Sequence, residues 1–253
     1  MNVFRRQIIN DYIQANGKAT YDELMELVQD VSCMTLRRDL EILEKDGQIV
    51  RVRGGARSVT SVSNDGDDKY AIRAAANVAA KMDVVEKTLP FIEPDHSMYF
   101  DSGSTMMLLA SKVENGYYSI TTCAPNVAIE LMKKSKTDVT LLGGRLNRDT
   151  LAVSGISSIK EVEDINIDTA IMATSGYSED FGFTSSSYDE AQLKKAVIKK
   201  ARKVIMIMDS TKLGKNLQYT FAHLSDVDML ILSSCPDDEL IELCNKMEIQ
   251  LIY

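Results

Sequence analysis

The chain has 253 residues, 45% of them hydrophobic and 26% charged, with a formal net charge of -8 at pH 7. This composition is typical of a globular protein with room for a small module and a full-sized second domain. The negative net charge excludes a protein that coats nucleic acid or an anionic membrane over its whole surface, because phosphate would be repelled. Any contact with DNA must therefore be local.

The chain begins with an amphipathic pattern and not with an apolar signal sequence. Apolar residues recur at helical spacing, namely Phe4, Ile8, Ile9, Tyr12 and Ile13. They predict a helix over about residues 3–16, which Gly17 would end as a C-cap. Because no apolar run approaches the roughly 18 residues that span a bilayer, we expect a cytoplasmic protein without a membrane segment.

Two more helices and a hairpin are predicted next. Thr20 and Glu23 have the spacing of a capping box, which starts a second helix. Ser32 then suits the N-cap of a third helix over about residues 33–46. The buried face of this helix would hold Leu36, Leu40 and Leu43. Valine and arginine alternate over residues 49–55, which predicts a short hairpin with a basic face.

Three helices followed by a basic hairpin are the layout of a winged helix, whose third helix enters the major groove of DNA. The candidate DNA-binding residues are Ser32, Thr35, Arg37, Arg38, Arg51 and Arg53. Their guanidinium groups can pair with guanine or neutralise phosphate, and their hydroxyls can donate to phosphate. Two alternatives stay open for Arg37 and Arg38. Both can be ordinary solvated charges, or one of them can pair with Asp39 and stabilise the helix. We interpret Cys33 and Met34 as packing residues.

At this point the sequence resembles the DeoR family of bacterial regulators. The resemblance rests on residues 31–40, on Leu43, Glu44 and Gly47, and on residues 51–56, which match the family signature in residue type and spacing. It implies a winged helix-turn-helix domain. One departure is Arg53, where family members commonly carry histidine.

A change of pattern marks the domain boundary. Residues 58–70 contain few apolar residues and several turn formers, which favours a linker. We therefore predict a DNA-binding domain over residues 1–57, a linker over 58–70 and an effector-sensing α/β domain over 71–253. In the last, apolar strands alternate with helical stretches, which favours a largely parallel, Rossmann-like sheet covered by helices. The predicted strands are 97–101, 118–122, 139–142, 169–173, 204–208, 229–232 and 249–252.

The first of these strands leads into a candidate phosphate-binding loop, which comprises Asp101, Ser102, Gly103, Ser104 and Thr105. Gly103 allows close backbone approach, the hydroxyls can donate, and the N-terminus of the following helix favours an anion. A simple helix cap is the alternative. Because ligands bind beyond the carboxyl ends of parallel strands, loops after other strands can contribute to the same site.

Those other loops hold Thr121 and Thr122, Gly143 and Gly144, and the segment that ends at Lys212. Lys212 can supply the positive charge that a phosphate requires, and Asp101 can accept sugar hydroxyls. Glu190 and Lys194 have i, i+4 spacing in a predicted helix, so they form either an exposed ion pair or a pair whose lysine lies at the ligand.

The second part of the chain also resembles the sensor domain of DeoR regulators, whose fold is related to ribose-5-phosphate isomerase and the coenzyme A transferases. The resemblance implies that a sugar phosphate is bound and that its binding alters operator affinity. The residues implied are Asp101, Ser102, Gly103, Ser104, Thr105, Thr121, Gly143, Gly144, Lys194 and Lys212. The family's usual Thr-Asn-Ser is here Thr121-Thr122-Cys123, a departure at the end of the second strand.

No metal site or cofactor is expected. The four cysteines, Cys33, Cys123, Cys235 and Cys244, form no C-x-x-C pair, and His96 and His223 have no ligand neighbours at useful spacing. We interpret the cysteines as free cytosolic thiols.

Two functions are weighed. The first is a repressor of a carbohydrate-metabolism operon, released or modulated by a phosphorylated sugar and acting as a homodimer or higher oligomer on double-stranded DNA. The alternative is a sugar-phosphate isomerase with an accessory N-terminal module, for which no persuasive acid/base pair is found. We expect no enzyme. Whether the regulator represses, activates or does both is left open by the sequence.

Overall fold

The computed structural model describes residues 2–28, 31–45, 47–52, 54–58 and 69–253. The chain divides into two compact units, the first ending at Ala79 and the second comprising Ala80–Tyr253. Most of the predicted linker lies outside the described residues, and the predicted domain limits remain a prediction.

The first unit contains the predicted helices and hairpin. Its elements are α1 (Asn2–Asn16), β1 (Lys18–Thr20), α2 (Tyr21–Leu27), α3 (Cys33–Lys45), β2 (Ile49–Val52), β3 (Gly55–Ser58) and α4 (Lys69–Ala75). Strands β2 and β3 form the antiparallel hairpin of the wing, and β1 adds to its far side, giving the order β1-β3-β2. The sequence pattern did not predict β1, because three residues are too few to show a period.

Local contacts fix where these helices begin. The backbone N–H of Thr20 donates to Oε2 of Glu23 at 2.7 Å, and the N–H of Glu23 donates to Oγ1 of Thr20, so the predicted capping box is confirmed. The N–H of Thr35 donates to Oγ of Ser32 at 3.2 Å at the start of α3. The core between the helices holds Ile9, Ile13, Leu24, Leu36, Leu40 and Leu43.

Strand β2 is covered on both faces. Ile49 packs into the core between α1, α2 and α3, whereas Val50 packs with Ile72 and Ala76, the first of α4 and the second just beyond its end. Because successive side chains of a strand point to opposite faces, these two neighbours belong to separate apolar clusters. Helix α4 therefore packs on the wing.

The second unit is built on a seven-stranded parallel sheet, in which all seven predicted strands are confirmed. Its strands are β4 (Ser97–Phe100), β5 (Tyr118–Thr122), β6 (Thr137–Leu141), β9 (Ile167–Ala173), β12 (Ala201–Met208), β14 (Met229–Leu232) and β15 (Gln250–Ile252). They lie in the order β15-β14-β12-β9-β4-β5-β6. Five short strands outside this sheet, which the sequence pattern did not predict, are β7 (Arg145–Asn147), β8 (Ala152–Ser154), β10 (Gly176–Ser178), β11 (Gly182–Ser185) and β13 (Tyr219–Ala222).

Helices cover both faces of the sheet, as the near-continuous apolar strands require. The helices are α5 (Val78–Thr88), α6 (Ser104–Lys112), α7 (Pro125–Leu131), α8 (Ile156–Asp164), α9 (Tyr188–Lys200) and α10 (Asp238–Lys246). Met98 and Phe100 of β4 pack on the layer that contains α5, α6 and α7, whereas Tyr99 packs on the layer of α8, α9 and α10. The expected parallel α/β sheet covered by helices is therefore confirmed.

The strand order contains one switch point. From β4 the chain adds β5 and β6 on one side, and it then returns to add β9, β12, β14 and β15 on the other. Neighbouring strands β4 and β9 are thus connected in opposite directions, and their carboxyl ends open a crevice between the loops. Asp101 follows β4 at this point.

Candidate functional site

Helix α3 presents two exposed arginines, Arg37 and Arg38. The guanidinium carbon of Arg37 lies 5.6 Å from the ring centroid of Tyr21, a cation–π distance that links α3 to α2. Asp39, which the sequence offered as their partner, is buried and binds Nε of Arg5 in α1 at 2.6 Å instead. Both guanidinium groups of α3 therefore stay on the solvent side of the helix.

The wing is less basic than its sequence predicts. Nε of Arg51 donates to Oε2 of Glu44 at 2.8 Å, and its Nη1 lies 3.1 Å from Oε1 of Glu41. The hydrogen bond to Glu44 raises the pKa of Arg51. This guanidinium is bound to α3, and Arg53, the other candidate in the wing, lies outside the described residues.

The start of α3 exposes two residues that the sequence analysis interpreted as packing residues. Cys33 is exposed, and Met34 is 71% exposed, so the interpretation of both as packing residues is wrong. The hydroxyls of Ser32 and Thr35, both candidates for phosphate contact, lie 3.0 Å apart on the same turn. The reason for the error is geometric, since Leu36, Leu40 and Leu43 already fill the buried face of α3.

At the switch point of the large sheet, Asp101 and Lys194 form a buried ion pair. Oδ2 of Asp101 accepts from Nζ of Lys194 and from the backbone N–H of Ala173 at 2.9 Å. Nζ of Lys194 also donates to the carbonyl of Ala173 at 2.8 Å and lies 5.0 Å from the ring centroid of Phe221. One carboxylate thus joins the ends of β4 and β9 to α9.

Glu190 and Lys194 do not form the exposed ion pair that their spacing allowed. Both are buried, because this face of α9 packs on the sheet. The Glu190 carboxylate accepts from the hydroxyls of Thr150 and Ser185, while Lys194 binds Asp101. The exposed-pair interpretation is therefore wrong, and Lys194 lies instead beside the candidate loop.

The loop after Asp101 is open on the side of Gly103. Gly103 precedes α6 with φ 113° and ψ 170°, a conformation in which L side chains are strained. A Cβ placed on Gly103 would meet nothing within 4 Å, so the space beside it is open. Ser102 and Ser104 flank it and are largely buried, and Thr105 follows in the first turn of α6. The positive end of that helix and these hydroxyls can hold an anion.

The neighbouring end of β5 carries uncharged side chains. Thr122 is buried and its Oγ1 accepts from the N–H of Ala124 at 3.1 Å, whereas Thr121 is half-buried. Burial, with a contribution from the Asp101 carboxylate, raises the pKa of Cys123 to about 12. Burial likewise raises the pKa of Tyr99 well above 10. Both groups are therefore protonated at neutral pH and offer neither a base nor a nucleophile.

Gly143 and Gly144 are engaged by α8. The N–H of Gly143 donates to Oε2 of Glu161 at 2.8 Å, and its carbonyl accepts from Oγ of Ser158 at 2.5 Å. A Cβ on Gly144, whose φ is 150°, would lie 2.8 Å from the carbonyl oxygen of Ser154. Close packing of backbone is thus the observed reason for glycine here, and Glu161 occupies the N–H that an anion would use.

Lys212 ends a 3-10 turn that follows β12, two strands from β4 in the sheet. Its Nζ lies 3.9 Å from Oδ2 of Asp209, a buried carboxylate that also accepts from Thr211. The structure therefore puts Asp101, Ser102, Gly103 and Lys194 together, with Lys212 at the same carboxyl edge. Sequence reasoning missed Ala173, because no sequence signal marks a backbone N–H that binds a carboxylate 72 residues away.

Two classes of site are absent from the part of the chain that the structure describes. No cluster of three His, Cys, Asp or Glu side chains there could hold a metal ion. Within the same ranges, every helix is too short or too polar to cross a membrane.

Two family models match the chain. The DeoR-like helix-turn-helix domain matches residues 5–62, and the DeoR C terminal sensor domain matches residues 76–234. Among curated proteins, the HTH-type transcriptional regulator GlpR of Haloferax volcanii is 33% identical over 92% of this chain and 90% of its own. The HTH-type transcriptional repressor GlcR of Bacillus subtilis is 27% identical over 96% of this chain and 93% of its own.

Among solved structures, ribose 5-phosphate isomerase A of Methanocaldococcus jannaschii is similar to part of this chain. It has 14% identity and a TM-score of 0.41, and the match covers 55% of either chain.

Proposed function

Because this chain belongs to the DeoR family of DNA-binding transcription regulators, we propose that it represses a carbohydrate-metabolism operon and that a phosphorylated sugar releases it from DNA or modulates its binding. The chain binds double-stranded operator DNA through its first unit. Its second unit binds the effector.

One observation carries the effector side of this proposal, namely the Asp101–Lys194 pair beside the open turn at Gly103. Parallel α/β folds bind ligands at the switch point of the sheet, where these residues lie. The first turn of α6 and the hydroxyls of Ser102 and Ser104 suit the phosphate. The carboxylate of Asp101 suits sugar hydroxyls, and Lys212 supplies a further charge at the same edge.

The DNA side is supported by α3. Arg37 and Arg38 are exposed on its solvent face, and Ser32 and Thr35 lie at its N-terminus. A helix of this kind reads base edges with its exposed residues while its N-terminus lies close to phosphate. We assign Arg51 a supporting role, because its guanidinium is bound by Glu44 and Glu41.

The protein acts in the cytoplasm as a homodimer or higher oligomer. A single winged helix-turn-helix domain makes few specific contacts with DNA. Two-fold pairing places two recognition helices about one DNA turn apart. The effector then shifts the equilibrium between DNA-competent and DNA-incompetent states by binding them unequally.

The isomerase alternative is not favoured. The two curated relatives described above, which match nine-tenths or more of this chain, are named as a transcriptional regulator and a transcriptional repressor. The groups that line the candidate site also lack a plausible acid/base pair, since Cys123 and Tyr99 stay protonated and Asp101 is paired with Lys194. Turnover of a pentose or hexose phosphate at an enzyme-like rate would overturn this conclusion.

The direct test is binding of the purified chain to DNA from upstream of its own gene, by fluorescence anisotropy at fixed salt. A panel of sugar phosphates is then added to the complex. We expect specific binding that one compound weakens. No preference over random DNA would refute the regulator, and specific binding that no sugar phosphate alters would refute the effector class.

A further inference from the structure

Met34 is an unusual residue for the surface of α3. It is 71% exposed, more than any other large apolar side chain of the first unit among the described residues. Single exposed apolar residues occur on most surfaces, so exposure alone carries no conclusion. The position of Met34 on the helix is what gives it a role.

Met34 shares the solvent face of α3 with the two arginines. At 100° per residue, Met34 lies 60° from Arg37 and 40° from Arg38 around the helix axis, one turn nearer the N-terminus. Leu36 points to the opposite side and is fully buried. An apolar side chain therefore stands beside two guanidinium groups on the face that the proposed function directs into the major groove.

The chemistry of the groove supplies a matching partner. The C5-methyl of thymine is the apolar group among the base edges of the major groove, and specific proteins contact it with apolar side chains. A methionine side chain is unbranched and polarizable, so it adapts to such a contact. Covering a methyl group and a thioether removes apolar surface from water on both partners.

We infer that Met34 is a specificity-determining residue that packs on the C5-methyl of a thymine in the operator, next to the bases contacted by the arginines. The inference rests on the proposed function, since it requires that α3 enter the major groove. It adds an apolar contact to a reading surface that the sequence presented as basic.

The test begins with a set of double-stranded oligonucleotides selected from a random pool by the full-length protein. Each thymine of the selected consensus is then replaced in turn by deoxyuridine, which lacks only the C5-methyl. We expect one thymine per half-site at which this change weakens binding by about fourfold, the factor that corresponds to one methylene-sized group. Met34→Ala should bind the thymine and deoxyuridine duplexes equally well.

A matched control is Ile42→Ala, which shortens another exposed apolar side chain of α3 two turns nearer its carboxyl end. This variant should keep the fourfold response of the wild type. If the wild type binds every deoxyuridine duplex as tightly as the thymine duplex, the inference is wrong. It is also wrong if Met34→Ala keeps the fourfold preference for thymine. If no consensus is selected at all, the proposed function fails and the inference fails with it.

Discussion

Lys194 and Asp101 are 93 residues apart in the chain and form an ion pair whose side chains are 9% and 1% exposed. Removing one partner of such a pair leaves a buried charge without compensation, which costs far more than losing an exposed pair. The pair also borders the proposed effector site.

Lys194→Met should therefore lower the free energy of unfolding by about 3–5 kcal/mol. Urea denaturation followed by circular dichroism measures the change. Adding Asp101→Asn to Lys194→Met should recover part of the loss, because the unpaired carboxylate is then removed. The matched control is Arg202→Ala, since Arg202 is 84% exposed and pairs with Asp168 at 3.3 Å. It should cost no more than about 1 kcal/mol, and equal costs for the two variants would contradict the buried-pair interpretation.

The capping box of α2 predicts a pH dependence. The N–H and hydroxyl of Thr20 hold the pKa of Glu23 below its ordinary value of 4.5. A lowered pKa in the folded state means that this contribution to stability is present above pH 4.5 and is lost as the pH falls below it. The stability difference between the wild type and Glu23→Ala, from urea midpoints, should therefore shrink on acidification. Glu26→Ala, on the same helix but outside the box, should show a smaller pH dependence, and a difference that grows below pH 4.5 would refute the assignment.

Arg38→Ala should weaken specific operator binding by about 1–3 kcal/mol, because the proposed function puts its exposed guanidinium against a base edge. Anisotropy at fixed salt on operator and random duplexes measures the loss. If Arg38 contacts a base, its loss should weaken binding to the operator alone. If it contacts a phosphate, its loss should weaken binding to both duplexes. Arg51→Ala provides the comparison and should cost less, since Glu44 and Glu41 already bind that guanidinium. An unchanged operator affinity in Arg38→Ala would remove this residue from the interface.

Lys212→Ala should leave operator affinity unchanged while raising the concentration of sugar phosphate that releases the DNA. The reason is that its charge lies at the carboxyl edge of the sheet and outside the first unit. The same anisotropy titration gives both quantities. Loss of operator binding in this variant would indicate a folding defect, and an unaltered effector response would remove Lys212 from the site.

The large sheet could be predicted from the sequence because each of its strands is a short apolar run bounded by turn residues, and alternation with helices implies parallel order. The positions at which β4 and β5 end could be predicted in the same way, because turn residues follow each apolar run. Strand β1 and the short antiparallel strands have too few residues for a period to show. They depend on contacts made by the folded chain.

Side-chain partners in the site were harder to predict. The spacing of Glu190 and Lys194 indicated a pair, but a helix pattern does not say which buried acceptor lies opposite, and Lys194 binds Asp101 instead. Similarly, Arg51 was predicted to face DNA because period two assigns it to the outer face of the wing. Its long side chain turns back to α3, where Glu44 and Glu41 both bind its guanidinium group.

The packing of α4 on the wing determines which fragment of the first unit can be prepared on its own. Val50 of β2 is 2% exposed because Ile72 and Ala76 cover it. A fragment cut at Ser58 would lose this cover and expose Val50 to water, which removes the stabilisation that its burial provides. A fragment that runs to Ala79 keeps the cover, so the smallest piece suited to crystallisation with a short duplex includes the residues that follow the predicted linker.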